Sequence, residues 1–512
     1  MIRYTGHAVL AAALSMLAGG TAAAQSAPAE APPPSPAPEA PPPEAPPAAA
    51  PTPAPAAPAD VGPRLDEIDQ IARVAARKQE IFEEALAAKA KEAPSVTADD
   101  NGFSIRSADR AYLLRIRAQV QTDGRFFAGN DAYEANDTFL VRRFRPGVDG
   151  TLFSLVDYRM VADFAGGTVQ IMEGYVDLHP WECLRLRTGK FKGTIGLERL
   201  QGDADLPLFE RALDMNLSSQ REFGVNLWGN VAGVVTYVVG IVNGAPDDTN
   251  PDTADLNHGK DFQGRLFIQP FRVPGLERLG NLGVGVSAST GNRKGRLPVA
   301  VNGSPVPVTP AATGLGPYKT AGQNTFFSYY APTNDTTGAL TTFGNGRASH
   351  LDPQLFYYIG PFGLLAEIVW SRQAVQRGNN TAVLTNKAAH GTASFVIGGR
   401  EGYDGPTPTH PFDPAQGQWG ALELAAQLSW LKVDPLTFGD PNVPGSTAYA
   451  DPTKSAQSAT AWGVNAAWVP RRSLHLGVLY ERTKFEGGAG TTMAITDRPT
   501  ENLVLGRAQV NF

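Results

Sequence analysis

The sequence predicts an all-β chain, a transmembrane antiparallel β-barrel of about sixteen strands, with a short helix and a Pro/Ala-rich linker before it. Three observations lead there. Apolar and polar residues alternate with a period of two in short segments through residues 102–512. The chain opens on an export signal. No later run reaches the roughly 18 apolar residues that a spanning helix requires.

In chain order, residues 1–24 read as a signal peptide: Arg3 is the positive start, Ala8 to Leu17 is apolar, and "TAAAQS" offers a cut near Ala24. Residues 25–63 are almost wholly Ala, Pro and Glu, too polar and too proline-rich to bury a core. They form a disordered, extended spacer with a reach on the order of 100 Å at about 3.1 Å per residue. In residues 64–92, Leu65, Ile68, Ala72, Ala75, Phe82 and Leu86 recur at three- and four-residue steps. Acids come early and lysines late, as in an amphipathic helix with favourable end charges. Gln79 interrupts the seam, so a coiled coil and a helix packed on a neighbour remain equal readings.

From 102 to 512 the alternation is that of an outer-membrane barrel. "LLRIRAQVQTDGRFF" sets Arg115, Arg117, Gln119, Gln121, Asp123 and Arg125 on one face against Leu114, Ile116, Val120 and Phe126 on the other. "ALELAAQLSW" alternates Leu422, Leu424, Leu428 and Trp430 with Glu423, Gln427 and Ser429. "NLVLGRAQVNF" opposes Val504, Val510 and Phe512 to Arg507, Gln509 and Asn511. An arginine facing lipid at the midplane costs about 2–4 kcal/mol, so Arg115 and Arg117 belong in a wet lumen. Long Gly/Asn/Thr/Pro-rich loops lie near 291–345 and 435–457, and Phe126, Trp370, Trp462 and Trp468 suit interfacial girdles. In "GNRKGRLP", Arg293, Lys294 and Arg296 read as the start of a solvated external loop, the alternative being a loop that folds inward and recruits anions at the mouth.

Composition narrows the class further. Charged residues make up 18% of the chain, below the roughly 25% of soluble domains, and the 54 glycines suit many turns. The lone Cys183 permits no internal disulfide. His179, His258, His350, His390, His410 and His475 are scattered, and none sits in a nucleophile or metal motif. No catalytic residue, metal, cofactor or nucleic-acid partner is therefore expected.

The run "FLVRRFRPGVDGTLF…GKFKGTIGLERLQGDADLPLFERALDMNLSSQREFGVNLWG", with "FFSYYAP" and "FDPAQGQWGALELAAQLSWLKVD" after it, resembles the phosphate-selective porin O/P family. The resemblance implies a homotrimer of sixteen-stranded barrels in the outer membrane of a Gram-negative cell, surrounded by lipid, each passing inorganic phosphate or other small anions. The N-terminal segment would lie in the periplasm, and Phe512 would engage the barrel assembly machinery. A loop of about Lys192 to Gln220 would fold inward, carrying Arg199 and Arg211 at a constriction fed by Arg142 and Arg143. On a regular strand only one of those two neighbours can face the lumen. Arg145 and Lys192 fall where such porins often carry tyrosine. An acid of the selective members falls on Met172, with Glu173 expected on the opposite face.

The substrate-binding set is accordingly Arg199, Arg211, Arg142, Arg143, Arg145, Lys192, Arg115 and Arg117. Arginine stays charged and its planar fork matches phosphate oxygens. The alternative reading is a general or differently selective porin, or a barrel with a cell-wall tethering role. For Arg199 and Arg211 the competing structural role is pairing with Glu198, Glu210, Asp203 or Asp205 to fix the loop.

Overall fold

The computed structural model describes residues 62–100, 102–129, 135–251, 258–295, 310–332, 335, 339–440, 442–443 and 445–512. The expected signal peptide, the linker up to residue 61, and Arg296 lie outside the described residues.

A helix spans Gly62–Glu92, starting two residues ahead of the expected 64. Pro63 sits in its first turn, where the missing N–H has no intrahelical partner to lose. Ion pairs Arg73–Asp69 and Arg77–Glu80, both 2.8 Å, run along it. Ile68, Ile71, Val74, Ile81 and Phe82 are exposed on it.

Sixteen strands then form the barrel. They are Leu113–Phe127, Thr138–Leu152, Val156–Asp163, Gln170–Trp181, Leu184–Phe191, Glu222–Val231, Val235–Val242, Asp261–Ile268, Leu282–Lys294, Thr342–Ile359, Phe362–Arg377, Asn380–Ile397, Ala421–Lys432, Ala456–Arg471, Leu474–Thr491 and Glu501–Asn511. Each pairs antiparallel with the next, and the last closes on the first with Gly506 opposite Gly124. Closure satisfies every strand edge, which a bilayer demands. Short turns such as 153–155, 182–183, 360–361 and 472–473 mark one rim, and the segments 192–221 and 295–341 belong to the other.

The alternation is realised as expected. In the thirteenth strand Glu423, Ala425, Gln427 and Ser429 point inward and are buried, while Leu422, Leu424, Leu428 and Trp430 face outward. Arg115 to Arg125 line the inside of the first strand. A hairpin, Ser95–Asp99 with Gly102–Arg106, pairs with the lower half of that strand, from Phe103 opposite Ile116 to Arg106 opposite Leu113. It continues the line of the last strand, whose Phe512 exchanges backbone hydrogen bonds with Ala118 (3.0 and 2.9 Å) and packs edge-on to Phe103. Gly102 has φ +102°, and a Cβ there would lie 2.3 Å from the Ile116 carbonyl.

Toward the long-loop rim the inner face turns apolar. Val369, Leu384, Leu431 and Phe485 pack against Leu213 and Leu217 of the first inward segment and against Tyr318, Phe326 and Phe327 of the segment 310–332. Arg293 also differs from its reading as an external loop charge. It lies in the ninth strand, buried in the lumen wall, and donates to Asp261 (2.7 Å) with Asp247 at 3.8 Å. The alternation simply runs further than the glycines of "STGNRKG" suggest.

Candidate functional site: a basic constriction

The loop from Lys192 to Arg221 leaves the fifth strand and crosses the lumen. The backbone N–H of Gly196 donates to Asp352 (2.7 Å), and those of Leu197 and Glu198 donate to Glu367 (2.5 and 2.9 Å). Further along, Asn465 donates to the Pro207 carbonyl (2.8 Å) and Arg507 to that of Phe209. The loop is thus fastened to the tenth, eleventh, fourteenth and sixteenth strands. Gly196 (φ +93°) allows the turn that starts this crossing, because a Cβ would press on Arg199 and Met215.

Two cavities, of about 240 and 360 Å³, share Arg145, Met172, Asp203 and Arg221 in their linings. These four side chains form the throat. The larger cavity is lined by seven basic side chains (Arg142, Arg143, Arg145, Arg199, Arg211, Arg221 and Lys319) against Asp203, Glu210 and Asp248. The smaller is nearly balanced: Arg117, Arg145, Arg159, Lys192, Arg221 and Arg472 against Asp100, Asp149, Glu173, Asp203 and Asp205. The positive excess therefore lies on one side of the throat, where a narrow low-dielectric passage focuses its field.

Most of the cations are already paired. Arg142 donates two hydrogen bonds to Glu210 (2.8 and 3.0 Å). Arg143 donates to Gln121 (2.6 Å) and stands near both Asp203 and Glu210. Arg145 bridges Asp163 (2.7 Å) and Asp203. Arg211 also pairs with Asp203 and donates to the Glu198 and Gln201 carbonyls, while Arg199 donates to Met215 and Ser218. Arg115 and Arg117 share Asp149 at 3.5 and 2.7 Å, and only Arg117 of the two lines the smaller cavity. Lys192 donates to the carbonyls of Leu200 (3.1 Å) and Gln201 (2.8 Å).

Arg142 and Arg143 both face inward, contrary to the regular-strand expectation. Gln121 is opposite Arg143 but Thr122 is opposite Val141, so Arg142 is the extra residue of a β-bulge. A bulge re-aims a side chain without breaking the sheet. A second one corrects Glu173. Val161 faces Glu173 and Ala162 faces Ile171, leaving Met172 as the extra residue, so Met172 and Glu173 both line the smaller cavity. Glu173 binds Arg159 (2.7 Å) and Arg221 (3.1 Å).

Burial opposes ionisation of Asp203, yet Arg211, Arg143 and Arg145 outweigh it and hold the carboxyl well below its usual range. Glu210 behaves likewise between Arg142, Arg143 and Arg507. Burial, helped by Arg221 and Arg211, pushes the Lys192 ammonium down to about 7. Burial raises Asp205 to about 6.

Arg159, Arg221 and Lys319 belong to this constellation and were missed by the reading of the sequence. Arg159 was legible, being inward by simple alternation. Arg221 directly follows the predicted loop end, and Lys319 arrives from a distant segment that no local pattern ties to the pore. Among the described residues Lys319 has no side-chain hydrogen bond or ion pair, and it lines the larger cavity with Asp248, on which its charge acts.

Solved structures similar to the chain include the outer-membrane channel DcaP of Acinetobacter baumannii, with TM-score 0.47 and 12% identity over 80% of this chain and 99% of that one. OmpT of Vibrio cholerae, in its trimer form, gives 0.45 and 11% over 78% and 100%. Salmonella typhi OmpF in complex with daunomycin gives 0.45 and 10% over 82% and 100%. A search of curated protein sequences returned no match. The family model for phosphate-selective porin O and P matches residues 114–512, which take in all sixteen strands save Leu113. The chain belongs to that family and is an outer-membrane porin.

Proposed function

We propose that this porin conducts small anions, oxyanions such as phosphate among them, as a homotrimer with one pore per barrel. The observation that carries the reading is the larger cavity beside the throat, with its seven basic and three acidic side chains. The binding set is Arg142, Arg143, Arg145, Arg199 and Arg211, with Lys192, Arg115 and Arg117 on the approach and Lys319 added. The pairing of these arginines bears on strength. An incoming phosphate must compete with Glu210 for the fork of Arg142 and with Asp203 for that of Arg211. Binding is therefore weak, which suits conduction, because a tightly held ion blocks its own pore. This favours a moderately anion-selective porin over one highly specific for phosphate. The chain enters the outer membrane after loss of residues 1–24, engages the assembly machinery through Phe512, and leaves residues 25–92 in the periplasm.

Planar-bilayer recording tests the reading. Reversal potentials in a KCl gradient should show preference for chloride, and millimolar phosphate should reduce chloride current. Lys319→Gln should weaken both effects while leaving an open channel. A cation-selective wild-type channel would refute the proposal.

A further inference from the structure

We propose that Asp214, Glu367 and His390 form a binding site for a divalent transition-metal ion, zinc by its ligand chemistry, that fastens the inward loop to the barrel wall. Glu367 and His390 are cross-strand partners in the eleventh and twelfth strands, directly opposite and both pointing inward. Asp214 comes down on them from the short turn Leu213–Leu217 of the inward loop. His390 Nδ1 is 2.7 Å from Asp214 Oδ2 and 3.8 Å from Glu367 Oε1. One donor atom from each of the three side chains lies within 4.8 Å of the others. Ligands held tetrahedrally at about 2.1 Å from zinc stand about 3.4 Å apart, inside the range seen here.

Charge and unmet bonding point the same way. The three side chains are buried, with Asp352 and Glu198 close at hand. Backbone N–H groups serve Glu367 and one oxygen of Asp352, and Gln427 and the Ala212 N–H serve Glu198. Among the described residues, Asp214 Oδ1 is left without a hydrogen-bond partner. Arg265 and Arg211 act on the flanking Asp352 and Glu198, but within the triad one imidazole faces two carboxylates, whereas a dication neutralises both. One imidazole with carboxylate oxygens suits zinc, and the imidazole disfavours calcium and magnesium, which prefer oxygen alone. The sequence shows no such motif because the ligands meet only through the strand register and the loop crossing.

The site lies where it would matter for conduction. Asp214 lies two residues after Ala212 and directly before Met215, both of which line the larger cavity beside Arg211. A metal there would hold the constriction at one aperture. The test uses the untagged full-length porin, folded in detergent, equilibrated with zinc and dialysed. Metal analysis should find about one zinc per chain. Asp214→Asn and His390→Gln should each weaken zinc binding about tenfold or more, since even outer-shell changes cost that much. His350→Gln, a buried histidine that pairs with Asp247 elsewhere in the lumen, should keep the metal. Zinc should also raise the temperature at which the wild-type barrel unfolds on gels, and not that of Asp214→Asn. Wild-type protein that retains no zinc would overturn the proposal, and the buried group would then be an imidazolium–carboxylate pair. So would zinc binding and stabilisation unchanged in Asp214→Asn, which would place the metal elsewhere. If His390→Gln fails to fold, the wild-type metal content and the Asp214→Asn result decide the question.

Discussion

Lys192 should make the selectivity of this pore dependent on pH near neutrality. Its ammonium lies at the start of the inward loop and lines the smaller cavity, with its pKa lowered to about 7 by burial and by Arg221 and Arg211. It is about 90% charged at pH 6 and about 10% charged at pH 8. A unit charge about 6 Å from a passing ion is worth about 3 kcal/mol at an effective dielectric of 20 and under 1 kcal/mol in bulk water. A value near 1 kcal/mol is reasonable for a wet lumen, and it corresponds to about a fivefold change in partition. Because the same charge repels potassium as it attracts chloride, raising the pH from 6 to 8 should lower the chloride-to-potassium permeability ratio by more than about fivefold, up to about 25-fold. Asp205, raised to about 6 by burial, gains negative charge over the lower part of the same window and acts in the same direction. The assay is the reversal potential across a planar bilayer at each pH, in the wild type, in Asp205→Asn and in Asp205→Asn with Lys192→Met. The single variant should keep most of the step. The double variant should lose it and show the low ratio at both pH values. A flat wild-type profile, or a step that survives in the double variant, refutes the reasoning.

Other substitutions probe other links. Arg211→Ala leaves Asp203 buried with only Arg143 and Arg145, and removing one member of a buried pair should destabilise the loop by about 3 kcal/mol, read as noisier single-channel current and a lower unfolding temperature on gels. Leu428→Arg on the outward face should cost about 2–4 kcal/mol in urea-dependent unfolding from lipid vesicles. Gly102→Ala drives a Cβ into the Ile116 carbonyl, so protease should cut within residues 95–106 faster than in the wild type while the barrel stays folded.

Much of the barrel was legible because a period-two pattern needs only local sequence. The inward arginines of the first strand and the outward leucines of the thirteenth follow from alternation alone. What stayed hidden was non-local. Nothing in "LVRRF" or "QIMEGY" announces a bulge, since a bulge depends on the partner strand, and each one shifted the phase that the pattern relies on. Arg293 was placed in a loop because its glycine neighbours suggest a turn, yet the ladder continues to Lys294 opposite Asn345. The pairing of Arg211 with Asp203 was one of the readings the sequence offered, but the pairs of Arg145 and Arg142 were not, because Asp203 and Glu210 reach them only once the loop has crossed the lumen. Asp214, Glu367 and His390 are the extreme case, three positions with no sequence relation.

The two bulges also decide where this wall tolerates a change in chain length. Removing a residue from a regular strand inverts every side chain on one side of the cut, exchanging lipid-facing and water-facing sets. Arg142 is an exception. Phe139, Val141 and Phe144 all point outward, so a chain lacking Arg142 would still read outward at Val141, inward at Arg143 and outward at Phe144. The same holds at Met172, between outward Ile171 and inward Glu173. A one-codon deletion at either place removes a side chain that lines the pore cavities while the rest of the barrel keeps its pattern. Gain or loss of a single codon is thus a route by which related porins can retune ion preference, and these two positions are where length variation should be found among them.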